Sequence, residues 1–414
     1  MNKETYPAWS SVNEVPTQYK WLDEDIDCGV CVVGGGLTGA MCAMRLAESG
    51  EDVVLITEHQ IGYSATADCS PLAQYDFGQH IIDIKKRIGL DNALRVLELG
   101  SQSIAALENL SETLDGDFGF SRSDTLLYTN DERELELFNR EFLLRRHNGF
   151  DCMFLSRSTA ADVFPFPMAG GILSKNLGAR FDPYRLTQLC VKRAADLGAR
   201  IYENTKVEAL DSSQDTVVID TSTRKTVFCD CAVLALGSGF KDIMSINANV
   251  RTGFYAVSEP VSGGVPGGCI VSTWAQPGVT LSAAPDGRIY CGGLETGTLD
   301  EKGRFCGVLS LPSLFSKRFD EIRSSIACHF PDAGVPQLEF YRSVRYIEAF
   351  DQMPVIGFHE SHDKCFFACC TGPGAAPFSV IAGEMCAQML SGSYTDDEAI
   401  FSPMRFSMKK AKSR

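Results

Sequence analysis

Residues 28–39 read Cys28-Gly-Val-Cys-Val-Val-Gly34-Gly-Gly36-Leu-Thr-Gly39. A short β-branched run leads into G-x-G-x-x-G, and a helix-like run follows from Ala40 to Ser49. A second β-branched run, Val53-Val-Leu-Ile-Thr57, ends at Glu58. Strand, glycine turn, helix, strand and acidic residue in that order predict a mononucleotide-binding βαβ unit. Val33 closes the first strand, and Gly34 makes the tight turn out of it. Gly36 lets the backbone approach a pyrophosphate, and Gly39 lets helix and strand pack closely. The free N–H groups of the helix N-terminus suit an anion. Thr57 and Glu58 then sit where a carboxylate accepts hydrogen bonds from ribose hydroxyls and disfavours a 2′-phosphate.

The chain has 414 residues, 44% of them hydrophobic, with a formal net charge of −15. That length holds two domains, and the acidic balance argues against nucleic acid as a partner. The basic tail Lys409-Lys410-Ala-Lys412-Ser-Arg414 is too short to reverse it and reads as a frayed terminus. The polar opening lacks a signal-like apolar core, and no run of eighteen apolar residues predicts a membrane span. Sixteen cysteines lie mostly inside apolar segments, which suits reduced thiols and a cytoplasmic setting. Cys28-x-x-Cys31 has the spacing of a metal or redox pair but lies within the first strand, so it reads as structural. No His, Cys or carboxylate cluster has metal-ligand spacing, so no metal is expected.

Nucleotide-type elements recur along the chain. Residues before 26 read as irregular, and 77–113 as one long helix. Phe181-Asp-Pro-Tyr-Arg-Leu186 leads a helix, and Cys231-Ala-Val-Leu-Ala-Leu236-Gly237 is a buried strand entering a glycine turn. Cys365-Phe-Phe-Ala-Cys-Cys370 runs into Thr371-Gly372-Pro-Gly374-Ala375-Ala376-Pro377 and a further helix. Strand-rich inserts separate these pieces. The fold class expected is α/β: a Rossmann-like nucleotide-binding domain with an interleaved α+β domain on a mainly antiparallel sheet. Residues 1–115, 176–247 and 345–414 are assigned to the first domain, and 116–175 and 248–344 to the second.

Four stretches resemble the flavin-dependent amine and amino-acid oxidoreductases, the family of D-amino acid oxidase, glycine oxidase and sarcosine oxidase. Val32–Gly39 with Glu58 resembles the family's N-terminal FAD fingerprint. Ser64-Ala65-Thr66-Ala through Leu72-Ala73-Gln74-Tyr75 resembles the stretch behind the flavin ring. Phe181–Leu186 through Lys206-Val207 resembles the middle segment, with Val207 at the adenine end. Asp351–Gly357, Thr371–Gly374 and Phe378–Glu384 resemble the closing motif. The resemblance implies that the first domain is a glutathione-reductase-like FAD-binding domain and the second a substrate domain, with FAD held at Val33, Gly34, Gly36, Leu37, Thr38, Gly39, Thr57, Glu58, Ser64, Ala65, Thr66, Ala73, Gln74, Lys206, Val207, Leu236, Gly237, Gly357, Thr371, Gly372, Gly374, Ala375 and Ala376. Some relatives attach FAD through a His or Cys. Asp68 and Val344 fall at those places here, so the expectation is non-covalent FAD.

The function expected is an FAD-dependent oxidoreductase that moves a hydride from an amine or amino-acid C–N centre to flavin N5. A small-molecule substrate follows, with the electron acceptor and oligomeric state left open. Arg345 is the candidate carboxylate clamp, since guanidinium forks match carboxylates. Tyr346 and Tyr255 are candidate pocket walls. His80 reads as a helix residue, and His359 and His362 as solvated. Two other readings keep the flavin: oxidation of a 2-hydroxy acid or polyol phosphate, and a non-catalytic flavin-binding subunit, suggested by the Ala375-Ala376-Pro377 loop.

Overall fold

The computed structural model describes residues 6–213, 215–242, 248–261, 268–275, 277–296, 312–331 and 334–406. The basic tail lies outside the described residues. Two large sheets organise the chain. In the first, the strands Val355–His359, His362–Cys369, Thr226–Leu234, Ile26–Val33, Val53–Ile56 and Arg200–Tyr202 lie side by side in that order. All neighbours are parallel except the first pair. The four central strands are near-continuous apolar runs because helices cover them. Val33 is level with Leu234 on one side and Ile56 on the other, so the strands end at a common edge. In parallel sheets that carboxyl edge is where ligands bind. The strands Val207–Asp211 and Val217–Thr221 form an antiparallel meander off the strand Thr226–Leu234.

The second sheet has nine strands, with Leu338–Ala349 at one end and Leu72–Gln74 at the other. Every pairing is antiparallel except that of Ile270–Thr273 with Ser121–Thr129. The class expected from sequence is therefore the one observed. The second sheet also takes in short pieces that sequence placed with the nucleotide segments: Leu72–Gln74, the end of Gly170–Arg180, and the end of Leu338–Ala349.

The main apolar core lies between the first sheet and the helices Leu37–Glu48, Leu90–Thr113, Pro183–Asp196 and Ala375–Leu390. Local chemistry sets their ends. Asp182 Oδ1 accepts from the backbone N–H of Tyr184 and Arg185 at 2.9 and 3.0 Å, and Pro183 follows it at the first helical position. The long helix expected over 77–113 is two, Ile81–Ile88 and Leu90–Thr113, because Gly89 adopts φ +90° and breaks the spiral. A short helix, Ala8–Val12, stands where sequence expected irregular chain. A second apolar core fills the far side of the second sheet, against the helix Pro312–His329.

Candidate active site

The glycine turn has the tight geometry its spacing demands. Gly34 holds φ +121°, and a Cβ there would lie 2.3 Å from the Ala235 carbonyl oxygen. Side chains are excluded where the strand Ile26–Val33, its neighbour and the following helix converge. Gly36 caps the helix Leu37–Glu48 with no side-chain cap bond, and the first turn carries no acidic residue. Thr66 Oγ1 accepts from Leu37 N at 3.0 Å. Gly374 caps the helix Ala375–Leu390 in the same way, again without a side-chain cap or an acidic first turn. Both N-termini therefore keep the positive field that stabilises anions. Thr38 Oγ1 and Ser379 Oγ lie 2.7 Å apart, which ties the two first turns together.

Beyond the second strand, Thr57 N donates to Tyr202 O at 3.0 Å and Thr57 O accepts from Thr205 N at 2.8 Å. Buried Glu203 accepts from Ile61 N at 2.8 Å and Tyr19 N at 3.1 Å, fixing the loop around this edge. Glu58 is half exposed, with Lys206 Nζ 3.3 Å away. This is the arrangement a dinucleotide needs: a bare helix N-terminus for the pyrophosphate and an accessible carboxylate for a ribose. The residues present fit FAD.

A cavity of about 720 Å³ opens between the two sheets. Ala65, Gln74, Gly237, Thr371, Gly372 and Ala375 line it, with Tyr255 and Tyr346 on the second sheet's wall. Gln74 Nε2 donates to Ser272 Oγ at 3.2 Å on that wall. Thr371 Oγ1 donates to the Ile347 carbonyl, which fastens the closing loop to the strand Leu338–Ala349. Tyr346 packs beneath Gly372, whose absent Cβ would stand 3.1 Å from the ring.

Tyr255 donates to Asp68 Oδ1 at 2.7 Å, and Arg342 Nε lies 2.7 Å from the same oxygen. Burial and the Asp68 charge push the Tyr255 phenol up, so it stays protonated. Tyr346 is 8% exposed, and its hydroxyl makes no geometrically sound hydrogen bond although the Glu295 carboxylate stands beside it. Burial and then Glu295 push this phenol far up as well, which makes Tyr346 a donor and not a base. Arg251 Nε donates to Glu348 Oε2 at 3.1 Å. Burial raises the Glu348 carboxyl above its usual range despite that partner.

Arg345 borders the cavity but is exposed, and strand alternation turns its side chain to the face opposite Tyr346. Several other expected positions lie elsewhere. Gly357 faces Pro403 and Ser402, away from the cavity, because it lies in the antiparallel edge strand. Ala73 and Ala376 point into the main core. Leu236 packs against the core on the sheet's other face, and Val207 pairs with Thr221 in the meander. Only the backbone of Ser64 belongs to the described residues, at the start of the turn Ser64–Asp68. Gly39, Lys206, Thr57 and Glu58 lie along the dinucleotide edge.

Arg145, Asp76 and Glu141 were not singled out from sequence. Arg145 is buried, with Nη1 2.8 Å from Asp76 Oδ2 and Nη2 2.6 Å from Glu141 Oε1. Glu141 also accepts from the N–H groups of Ile81 and Ile82 at 2.8 and 3.0 Å, holding the first turn of Ile81–Ile88. His80, expected within a helix, is instead the extended residue that precedes Ile81–Ile88, and it stacks flat on Trp274 with centroids 3.9 Å apart. Cys28 and Cys31 are buried, and Cys28 is level with Cys229. Among the described residues no cluster of three His, Cys, Asp or Glu side chains could hold a metal, and no helix is long and apolar enough to cross a membrane.

Solved structures share this architecture. Glycine oxidase from Geobacillus kaustophilus aligns over 91% of this chain and 98% of its own, with TM-score 0.74 and 20% identity. L-proline dehydrogenase from P. horikoshii aligns over 94% and 99%, with TM-score 0.72 and 18% identity. In sequence, the Bacillus subtilis (strain 168) protein YhfW, provisionally named a Rieske 2Fe-2S iron-sulfur protein, is 23% identical over 97% of this chain and 76% of its own length. Gamma-glutamylputrescine oxidoreductase of Escherichia coli (strain K12) is 27% identical over 52% of this chain, which spans half of that enzyme. The FAD dependent oxidoreductase family matches residues 29–389, nearly the whole span from the first strand to the last long helix, and the chain belongs to that family.

Proposed function

We propose that this FAD-dependent oxidoreductase oxidises an amine or amino acid at its C–N bond, with FAD held non-covalently. The observation that carries the reading is the Tyr346 hydroxyl, buried without a sound hydrogen bond, beside the Glu295 carboxylate on the cavity wall under Gly372. A donor and an acceptor set side by side suit an amino group, which both gives and accepts hydrogen bonds. When bound, FAD accepts the hydride from the C–H next to nitrogen. The chain orients that carbon and excludes water.

Non-covalent binding is supported by the thiols nearest the flavin side. Burial pushes the Cys69 thiol up to about 12 and Cys370 well above its usual value, so neither is a ready nucleophile. The described cysteines, most of them buried, form no disulfide with one another, which supports a reducing, cytoplasmic setting. A substrate domain made of 116–175 and 248–344 remains our reading of the chain's division, with its sheet extended by the short pieces noted above.

Anaerobic mixing of the FAD-loaded protein with amines, amino acids, 2-hydroxy acids and polyol phosphates tests the reading. Amines or amino acids should bleach the flavin's visible band. Bleaching by hydroxy acids or polyol phosphates alone would overturn it.

A further inference from the structure

Four cationic side chains border the cavity: Lys86, Arg87, Arg251 and Arg345. Lys86 is paired with Asp83 at 2.8 Å and Arg251 with Glu348 at 3.1 Å. Arg345 is exposed on the far face of its strand. Arg87 is different. Its Nη1 donates to Gln352 Oε1 and its Nη2 to Gln79 Oε1, both neutral amides. Its Nε is buried without an acceptor.

The carboxylates whose charge reaches Arg87 are those of Asp83, Glu348 and Asp351. Each is taken by another cation: Asp83 by Lys86 at 2.8 Å, Glu348 by Arg251 at 3.1 Å and Asp351 by Arg405 at 2.8 Å. Among the described residues no carboxylate forms an ion pair with Arg87. A guanidinium carries five N–H donors, and two neutral amide acceptors orient it without cancelling its charge. A partly desolvated cation of this kind is stabilised by an incoming anion. The amides that hold it, Gln79 and Gln352, also line a cleft with Thr371, Pro373 and Gly374, so the guanidinium stands beside the closing loop.

We propose that Arg87 binds the carboxylate of the substrate, which makes the substrate an amino acid rather than a simple amine. This rests on the amine-oxidation reading and narrows it. Gln79 and Gln352 are positioning residues that aim the guanidinium. The substrate carboxylate meets the Nη hydrogens that the two amides leave unused.

Benzoate and its neutral isostere benzamide serve as probes, titrated into the FAD-loaded full chain while the flavin's visible band is followed. Benzoate should bind at least tenfold more tightly than benzamide. Arg87→Gln should weaken benzoate at least tenfold and leave benzamide unchanged, and Arg87→Lys should fall between. Benzoate affinity unchanged in Arg87→Gln, or no tighter than benzamide in the unaltered protein, overturns the proposal. Should Arg87→Gln fail to retain FAD, phenylglyoxal labelling of the unaltered protein decides. Benzoate should slow modification of Arg87 but not of the exposed Arg133, which lies outside the cavity lining, read by peptide mass, and an undiminished rate at Arg87 overturns the proposal. Bleaching by carboxylate-free amines together with weak benzoate binding removes Arg87 and leaves the amine reading standing. Arg87-dependent benzoate binding with no bleaching by any amine or amino acid removes the amine reading alone.

Discussion

The carbonyl oxygen of Gly34 occupies the place where a Cβ on Gly39 would project, 1.8 Å from that atom's ideal position. Helix and strand meet backbone to backbone, and neither can yield without moving the core beneath. Gly39→Ala should lower the urea midpoint by an amount equivalent to about 1–3 kcal/mol or more, the usual cost of overpacking. At Gly36 the same change meets only Thr66 Oγ1, at 3.2 Å. Gly36→Ala should keep the midpoint near that of the unaltered protein while weakening FAD retention on gel filtration. Equal midpoints for the two variants would contradict this division of labour.

Arg145 bridges Asp76 and Glu141 inside the protein, and Glu141 in turn holds the first turn of Ile81–Ile88. Arg145→Met leaves a buried carboxylate without its counter-ion. Losses of about 3–5 kcal/mol accompany the breaking of such pairs. Denaturant unfolding followed by flavin absorbance should show a drop of that order, and a change below about 1 kcal/mol would show that the network relaxes instead.

Tyr346→Phe removes one buried hydroxyl and little else. A hydrogen bond between neutral groups is worth about 0.5–1.5 kcal/mol, so kcat on an amine substrate should fall roughly two- to tenfold. The flavin spectrum and the thermal midpoint should stay where they are. Arg345→Gln, on the opposite face, should leave turnover within about twofold. Reversal of these two results would place the substrate against the outer face of the strand.

His329 supplies a pH prediction. Its Nδ1 lies 2.6 Å from the Ser325 carbonyl oxygen, which can only accept, so Nδ1 carries the proton. Nε2 then accepts from the Tyr128 hydroxyl at 2.7 Å. Burial lowers the His329 pKa from its ordinary 6.5. Over the interval below 6.5 the unfolded chain takes up the proton first, so stability is complete above that pH and declines as pH falls through the folded-state value. The thermal midpoint should drop between pH 7 and pH 5. His329→Gln should flatten that part of the profile, and an identical slope in the variant would assign the acid sensitivity to other groups.

Acid denaturation of the holo-protein should release the flavin into the supernatant. The buried thiols at Cys69 and Cys370 are poorly ionised, and the places where a covalent link would form hold Asp68 and Val344. Yellow colour that stays with the precipitated chain would contradict non-covalent binding.

The dinucleotide cradle was legible because its constraints are local. Gly34, Gly36 and Gly39 answer to steric limits set within a dozen residues, and Glu58 follows at a fixed reach. The substrate wall was not legible, because Arg251, Glu295 and Glu348 come from three strands and face one cavity only once register is known. The choice between Arg345 and Tyr346 is a single step along a strand, and one step exchanges the faces. Arg87 was hidden in Lys85-Lys86-Arg87, a basic end to an amphipathic helix that reads as solvated surface. Its distinction lies in having amides for neighbours, which a linear pattern does not display.

The order of strands in the first sheet constrains how the chain is made. Ile26–Val33 leaves the ribosome soon before its partner Val53–Ile56 but long before its other partner Thr226–Leu234, and that strand waits in turn for His362–Cys369. At about 5–20 residues per second one edge of the first-made strand stays unpaired for tens of seconds. The Thr38–Ser379 link must come later still. A nascent chain of this design exposes apolar edges through most of its synthesis, so its yield in a cell depends on chaperone supply and translation speed as much as on the strength of the finished core.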